Sequence, residues 1–397
     1  MDFSTANHKL TIYLKGSLDS AHSDRIEKSV REICDDNIGL PLVFDMYRVE
    51  YISTEGIRTL LRFRSSEDEK INVINVSNNL YELFMAGGSG DMFEIRRKPR
   101  TLSLKGLKLE ASSDSIKLYR VDEYFWLKVN LKKNTIDDID NENIIARSAF
   151  INGIPTEIAY EIVYTEEGCG QLYELSDAHM LAAALYLNPD KISYYTRVFA
   201  GFMKDVHCTE MEGADLPDAK RELQYALEKS KKYFSEEDYN MMYDLLATIP
   251  DKNTFLYGDF DTEGIMLKYG SPFFVDFANV RVGHPVFDLA DIYITYCMNE
   301  EDTSMLTLNG SWYDGTGFSD DMRESLFRTF ISEYFPCSEE IRHKRVEFIR
   351  GIAYLKLVLA PAVDNETVTE EMMKPHRRFA RMYLMNDVYD LIGKLDF

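Results

Sequence analysis

Leu256 Tyr257 Gly258 Asp259 Phe260 Asp261 Thr262 Glu263 Gly264 Ile265 Met266 Leu267, with Phe273 Phe274 Val275 Asp276 Phe277 a few residues on, is the stretch on which the reading of this chain turns. Apolar residues on either side of Tyr269 and Gly270 predict a short β-hairpin from Ile265 to Val275. Such a hairpin brings Asp259, on the loop before it, toward Asp276 at the end of its second strand. Phosphoryl transfer needs a group that orients or deprotonates the acceptor hydroxyl, and a carboxylate for the Mg²⁺ on the nucleotide phosphates. Two carboxylates in this arrangement are suited to those two roles.

Beyond the hairpin come Gly283 His284 Pro285 Val286 Phe287 Asp288 Leu289 Ala290. Together the two segments resemble the aminoglycoside phosphotransferase and choline kinase family. That family's pattern is H-G-D-x-x-x-x-N, an apolar strand, Asp-Phe or Asp-Trp, and then G-x-P-x-x-D-x-A. The resemblance implies a catalytic role for Asp259, Mg²⁺ ligation by Asp276, and a structural acid at Asp288. It also implies a phosphate-binding strand lysine at Lys128, in Trp126 Leu127 Lys128 Val129, and a helix glutamate paired with it at Glu142. ATP and Mg²⁺ are the implied cofactors.

The same comparison exposes losses. Tyr257 stands where the family has the loop histidine, and Gly264 stands at the position of the metal-binding asparagine. The segment expected to be the glycine-rich phosphate loop, Glu110 Ala111 Ser112 Ser113 Asp114, has no glycine, and Asp114 would repel a triphosphate. Asp261 or Glu263 is the expected substitute oxygen ligand for the metal, since Mg²⁺ accepts carboxylates readily. These losses weaken nucleotide and metal binding together.

Upstream, the apolar runs Leu10 to Leu14, Pro41 to Met46 and Ile71 to Val76 alternate with helical periodicity, as at Ile26, Val30 and Ile33. That is βαβα order, and strands apolar on both sides call for helices on both faces of the sheet, or for at least one helix layer and a partner. Asp45 Met46 Tyr47 Arg48 Val49 Glu50 Tyr51 Ile52 Ser53 Thr54 Glu55 Gly56 Ile57 is expected to join a strand ending at Asp45 to a helix. Here the chain resembles the STAS domain of anti-sigma-factor antagonists, which implies a partner-binding switch. In that family the residue before the glycine is a phosphorylated serine; here it is Glu55. A carboxylate gains from the same helix N-terminal field that favours phosphate, but with a smaller charge. Ser53 and Thr54 are candidate acceptors or helix caps, with capping the expected duty.

The expected organisation is therefore an α/β STAS-like domain over residues 1–100 and an α+β two-lobed kinase-like domain over 106–397, with a strand-rich lobe at about 106–176 and a helical lobe at about 177–397. Helices dominate the second lobe, one of them opening at Asp215 with Pro217 and running to Lys232. Charge changes at the same boundary. Residues 1–105 carry 15 Lys and Arg against 16 Asp and Glu, while the rest carry 30 against 51. So acidic a domain repels phosphate backbones and excludes nucleic acid as the expected partner. No apolar run approaches the ~20 residues needed to span a bilayer, and no basic, apolar leader opens the chain, so the expected location is cytoplasmic, away from membranes. The five scattered cysteines are read as buried free thiols. Tyr293, Tyr296, Trp312 and Tyr313 offer either a cation-binding cage or plain core.

Two functions stay open at this level. One is a regulatory protein, with a protein partner at the STAS domain and a partly degenerate kinase-like domain that senses a small ligand. The other is an active ATP- and Mg²⁺-dependent phosphotransferase acting on a hydroxyl of a small, cationic molecule.

Overall fold

Strand and helix alternate through the first hundred residues as β1 (Asp2–Ser4), β2 (Leu10–Leu18), α1 (Ser23–Asp36), β3 (Leu42–Ile52), α2 (Thr54–Leu61), β4 (Ile71–Val76), α3 (Asn78–Ala86) and β5 (Phe93–Arg97). The structure is a computed structural model. It describes the chain except residues 6–8, 65, 67–69, 87, 89, 113–115, 132–135, 175–177, 212–215, 259–263, 276, 278, 299–305, 307–317 and 386–397. Two compact units are present, Met1–Leu102 and Ser103–Phe397.

In the first unit the strands pair in the order β1-β2-β3-β4-β5, with β1 antiparallel and the others parallel. Parallel neighbours need crossover connections, and the three helices supply them. Ile12, Phe44 and Val73 from the strands share one core with Val30, Leu60 and Phe84 from the helices, all fully buried. The helices thus form a single layer, and Tyr13 on the opposite face of β2 is 40% exposed. Contrary to the sequence expectation, β3 does not end at Asp45. It continues to Ile52 because its later residues go on pairing with β2, Arg48 opposite Lys15 and Ile52 opposite Leu18, after a register shift. Asp45 is buried, and its carboxylate accepts from Tyr47 N at 2.7 Å and Asn75 Nδ2 at 2.8 Å.

The second unit begins with β6 (Lys108–Ser112), β7 (Ile116–Arg120), β8 (Phe125–Asn130), α4 (Ile136–Ile151), β9 (Glu161–Thr165) and β10 (Gly168–Glu174). These strands pair antiparallel in the order β9-β10-β8-β7-β6. Helices then dominate: β11 (Ala178–Met180), α5 (Leu181–Leu187), α6 (Ile192–Val206), α7 (Ala219–Ser230), α8 (Glu236–Ala247), β12 (Thr254–Leu256), β13 (Ile265–Lys268), β14 (Ser271–Phe274), β15 (Arg281–Gly283), α9 (Val286–Cys297), α10 (Asp320–Tyr334), α11 (Glu339–Asp364) and α12 (Glu370–Phe379). Their core is built around residues such as Phe199, Leu245, Phe255, Leu289 and Phe348, all at zero exposure.

The β13–β14 hairpin turns at Tyr269 (φ 54°) and Gly270 (φ 84°). Both positive values are what a two-residue turn between twisted strands demands. It is not alone in the helical half. β11 adds to β13, and β12 pairs with β15. Three-residue strands are too short to print a period on the sequence. Helix α7 opens later than expected, with Asp218 as the cap accepting from Arg221 N at 2.9 Å. Pro217 cannot start the helix because its carbonyl is taken by Val282 N at 2.8 Å, which holds the chain extended; Asp215 lies outside the described residues. The helix also ends at Ser230, and Lys231–Tyr233 tighten into a 3₁₀ turn. Of the cysteines only Cys169 is buried, and Cys208 is exposed, so the expectation of buried thiols fails for the rest. Among the described residues no helix is long and apolar enough to cross a membrane.

Candidate functional site

Alternation along β8 puts Trp126, Lys128 and Asn130 on one face of the strand. Lys128 is 1% exposed, and its Nζ donates to Glu142 Oε1 at 2.5 Å, so α4 and the sheet are joined by a buried ion pair. The same carboxylate accepts from Phe277 N at 3.3 Å and, on its other oxygen, from Asn130 Nδ2 at 3.5 Å. Glu142 therefore ties together β8, α4 and the residue that follows Asp276 in sequence. Asp276 itself, like Asp259, Asp261 and Glu263, lies outside the described residues.

The segment leading to Asp259 is clamped from behind. Asp288, in the first turn of α9 and fully buried, accepts from Tyr257 N at 2.8 Å and Gly258 N at 3.0 Å. His207 Nε2 lies 3.1 Å from the same carboxylate, and His207 Nδ1 lies 2.8 Å from the Tyr334 hydroxyl. Burial opposes ionisation of Asp288, but His207 and the two amides outweigh it and hold its carboxyl below the usual carboxylate range. An ionised carboxylate only accepts, so Nε2 carries the proton; in the neutral ring Nδ1 then accepts from Tyr334. Burial also pushes the Tyr334 hydroxyl up, which keeps it a donor. Gly258 has φ 69°, and a Cβ there would lie 2.1 Å from the Asn279 carbonyl oxygen, so the clamp accepts only glycine. Sequence reasoning found Asp288 but missed His207 and Tyr334. Neither sits in a motif, and only the fold brings residues 81 and 127 positions apart to His207.

The positions that departed from the family pattern have their own geometry. The Tyr257 ring stacks on Phe274 with centroids 4.3 Å apart and planes 15° apart, as a core side chain. Gly264 offers its carbonyl to Val275 N at 3.1 Å. Glu110 and Ser112 belong to β6, and Ser113 and Asp114 lie outside the described residues. Among the aromatic candidates, Tyr296 is buried and Tyr293 packs edge-on against Phe327 and Tyr354 as core; Trp312 and Tyr313 lie outside the described residues. Among the described residues no group of three His, Cys, Asp or Glu could hold a metal ion.

Between the strand-rich sheet and the β13–β14 hairpin lies a second feature. Leu118, Trp126, Tyr173, Ala178, Met266 and Val275 pack on one another, each less than 9% exposed. Among the described residues, apolar side chains from the two sheets meet across the slot between them.

In the first unit, Ser53 caps α2, its hydroxyl accepting from Gly56 N at 3.2 Å. Thr54 is the first helical residue and is exposed. The Glu55 carboxylate meets Arg62 at 2.9 Å and Arg58 at 3.5 Å, and Arg62 reaches on to Glu27 of α1 at 2.5 Å. Exposed pairs of this kind contribute little, because solvent screens them. A Cβ at Gly56 would lie 2.1 Å from the Leu18 carbonyl oxygen, so glycine is what lets the helix start against β2.

Comparison with known proteins gives two family matches: the STAS domain over residues 2–101 and the phosphotransferase enzyme family over residues 180–320. No curated protein matches the chain. Similar solved structures include a choline/ethanolamine kinase family protein from Mesorhizobium loti, at 14% identity over 73% of this chain and 92% of that one with a TM-score of 0.44. The ADP-bound aminoglycoside phosphotransferase APH(2'')-Ib is similar at 13% identity over 71% and 95%, TM-score 0.46. APH(3'')-Id from Streptomyces rimosus is similar at 13% over 65% and 93%, TM-score 0.40. A match to the STAS domain in the first unit is thus followed, in the helical part of the second unit, by a match to the phosphotransferase enzyme family.

Proposed function

We propose that the protein is a regulator: a STAS module that binds a protein partner, linked to a kinase-like domain that has kept its frame and given up nucleotide chemistry. The observation that carries this reading is the filled slot between the two sheets of the second unit. A nucleotide base needs an apolar crevice, and Leu118, Tyr173, Met266 and Val275 occupy that crevice themselves. Gly264 at the metal position and the glycine-free segment from Glu110 point the same way. At the STAS motif Glu55 has no hydroxyl to phosphorylate, so partner recognition proceeds without that modification.

A second reading is favoured by one observation. The Lys128–Glu142 pair is formed, and Phe277 N is bonded to it, which is the arrangement an active phosphotransferase requires around the residue holding Mg²⁺. In that reading Asp259 orients the acceptor hydroxyl, Asp276 and Asp261 hold Mg²⁺, and the substrate is a small, cationic molecule. Turnover of ATP separates the two. The regulator predicts no Asp259-dependent phosphoryl transfer in the native protein and none gained by Gly264→Asn. An active enzyme predicts measurable turnover that falls about 10² to 10⁴-fold in Asp259→Asn.

A further inference from the structure

The face of the first unit's sheet that lies away from its helices carries positive charge that the strands do not balance. Leu10, Ile12, Leu14 and Leu18 of β2 point into the core, so Tyr13, Lys15 and Ser17 point the other way. Their register partners on β3 share that face: Asp45 beside Tyr13, Arg48 beside Lys15, and Tyr51 beside Ser17. Between the first two of these pairs, and again between the last two, β3 has one residue more than β2. Two such bulges twist the strand and re-aim its side chains. The first is pinned, since the Asp45 carboxylate accepts from Tyr47 N at 2.7 Å and from Asn75 Nδ2 at 2.8 Å.

Lys15 and Arg48 therefore start from neighbouring positions on adjacent strands, where like charges repel. Both are exposed, and neither meets a carboxylate among the described residues. Lys98 adds a third exposed cation at the bulge, its ammonium 3.8 Å from the centroid of the Tyr47 ring. Asp45 is already bonded, while the exposed Asp2, beside Tyr13 on β1, and Glu50, at the second bulge, form no ion pair with Lys15 or Arg48. Around the cations stand Tyr13, Tyr47 and Tyr51, exposed by 40%, 51% and 48%. Tyrosines of this kind offer broad, rigid contact area with a hydroxyl at the tip, which is why they anchor protein interfaces. We propose that this face is the docking surface for an acidic segment of a protein partner, whose carboxylates meet Lys15 and Arg48 and whose apolar side chains lie on the tyrosines. Charge favours a short acidic segment over a nucleic acid or an anionic membrane, because a chain of net charge -22 repels an extended polyanion. This inference rests on the regulator reading. It names the kind of partner that the STAS module takes and the face it uses, which is not the helix layer carrying Glu55.

The test titrates the full chain into a short fluorescein-labelled peptide of glutamate with interspersed leucine, followed by anisotropy. Saturable binding is expected, weaker by at least about tenfold when glutamine replaces the glutamates. Lys15→Glu and Arg48→Glu should each lower the affinity about tenfold, and Tyr51→Ser by about as much. Lys28→Glu, the same charge change on α1, should leave it as it was. Lys15→Glu has a second signature: it sets a carboxylate beside Arg48, so the first unit should unfold at a higher urea concentration while binding is lost. No saturable binding of the acidic peptide overturns the proposal, as do equal binding of the glutamine peptide, an equal loss from Lys28→Glu, or a lowered urea midpoint in Lys15→Glu. Oligothymidylate or phosphatidylserine vesicles that bind more tightly than the peptide, through the same Lys15 and Arg48, also overturn it, in favour of phosphate recognition. Asp259-dependent turnover of ATP overturns the regulator reading without touching the peptide result. If neither turnover nor peptide binding is found, that reading stands and this proposal falls.

Discussion

Lys128→Met is expected to lower the stability of the second unit by about 3–5 kcal/mol, with no nucleotide involved. The substitution removes one partner of an ion pair whose side chains are 2% and 3% exposed, leaving the Glu142 carboxylate buried beside only the Asn130 amide and the Phe277 backbone N–H. Glu142→Leu in the same chain takes away the orphaned charge, so the double variant should recover most of the loss, and the cycle should give a large coupling. Chemical denaturation followed by tryptophan emission measures both. A loss below about 1 kcal/mol, without coupling, would mean that Lys128 is held for a ligand and not for the frame.

Asp288→Asn is the second large effect, at about 3 kcal/mol or more at neutral pH. One carboxylate serves three donors, and an amide in its place keeps one accepting oxygen while presenting an NH₂ to groups that also donate. The pH dependence has a definite sign. Because the folded chain holds this carboxyl below its ordinary value, the stabilisation is present above the unfolded pKa of about 3.9 and is lost as pH falls through the folded value. The native protein should therefore lose stability below about pH 4 more steeply than Asp288→Asn does. Parallel acid profiles for the two proteins would show that Asp288 is not ionised in the native structure.

What the sequence disclosed and what it concealed follow from how each feature is encoded. The first unit was legible because a parallel sheet writes apolar runs separated by helical periods, and Leu10, Phe44 and Val73 lie within those runs. Lys128 and Glu142 could be named because a resemblance fixes their order, and the structure brings their side chains together. The continuation of β3 past Asp45 was hidden, since pairing with β2 depends on a register shift that no single strand records. His207, Tyr334 and Asp288 come from three helices or their ends, and nothing in their spacing says that they meet. The filling of the slot by Leu118, Tyr173 and Met266 was equally hidden. Apolar residues that line a crevice and apolar residues that close it have the same pattern along the chain.

The central claim is that the kinase-like domain no longer takes up nucleotide, and calorimetric titration of the full chain with ATP, with and without Mg²⁺, tests it most directly. The account predicts no saturable heat at millimolar ATP in either titration. Tight binding that depends on Mg²⁺ would contradict it, because such a complex requires the slot at Leu118 and Met266 to open and the position of Asp276 to hold metal.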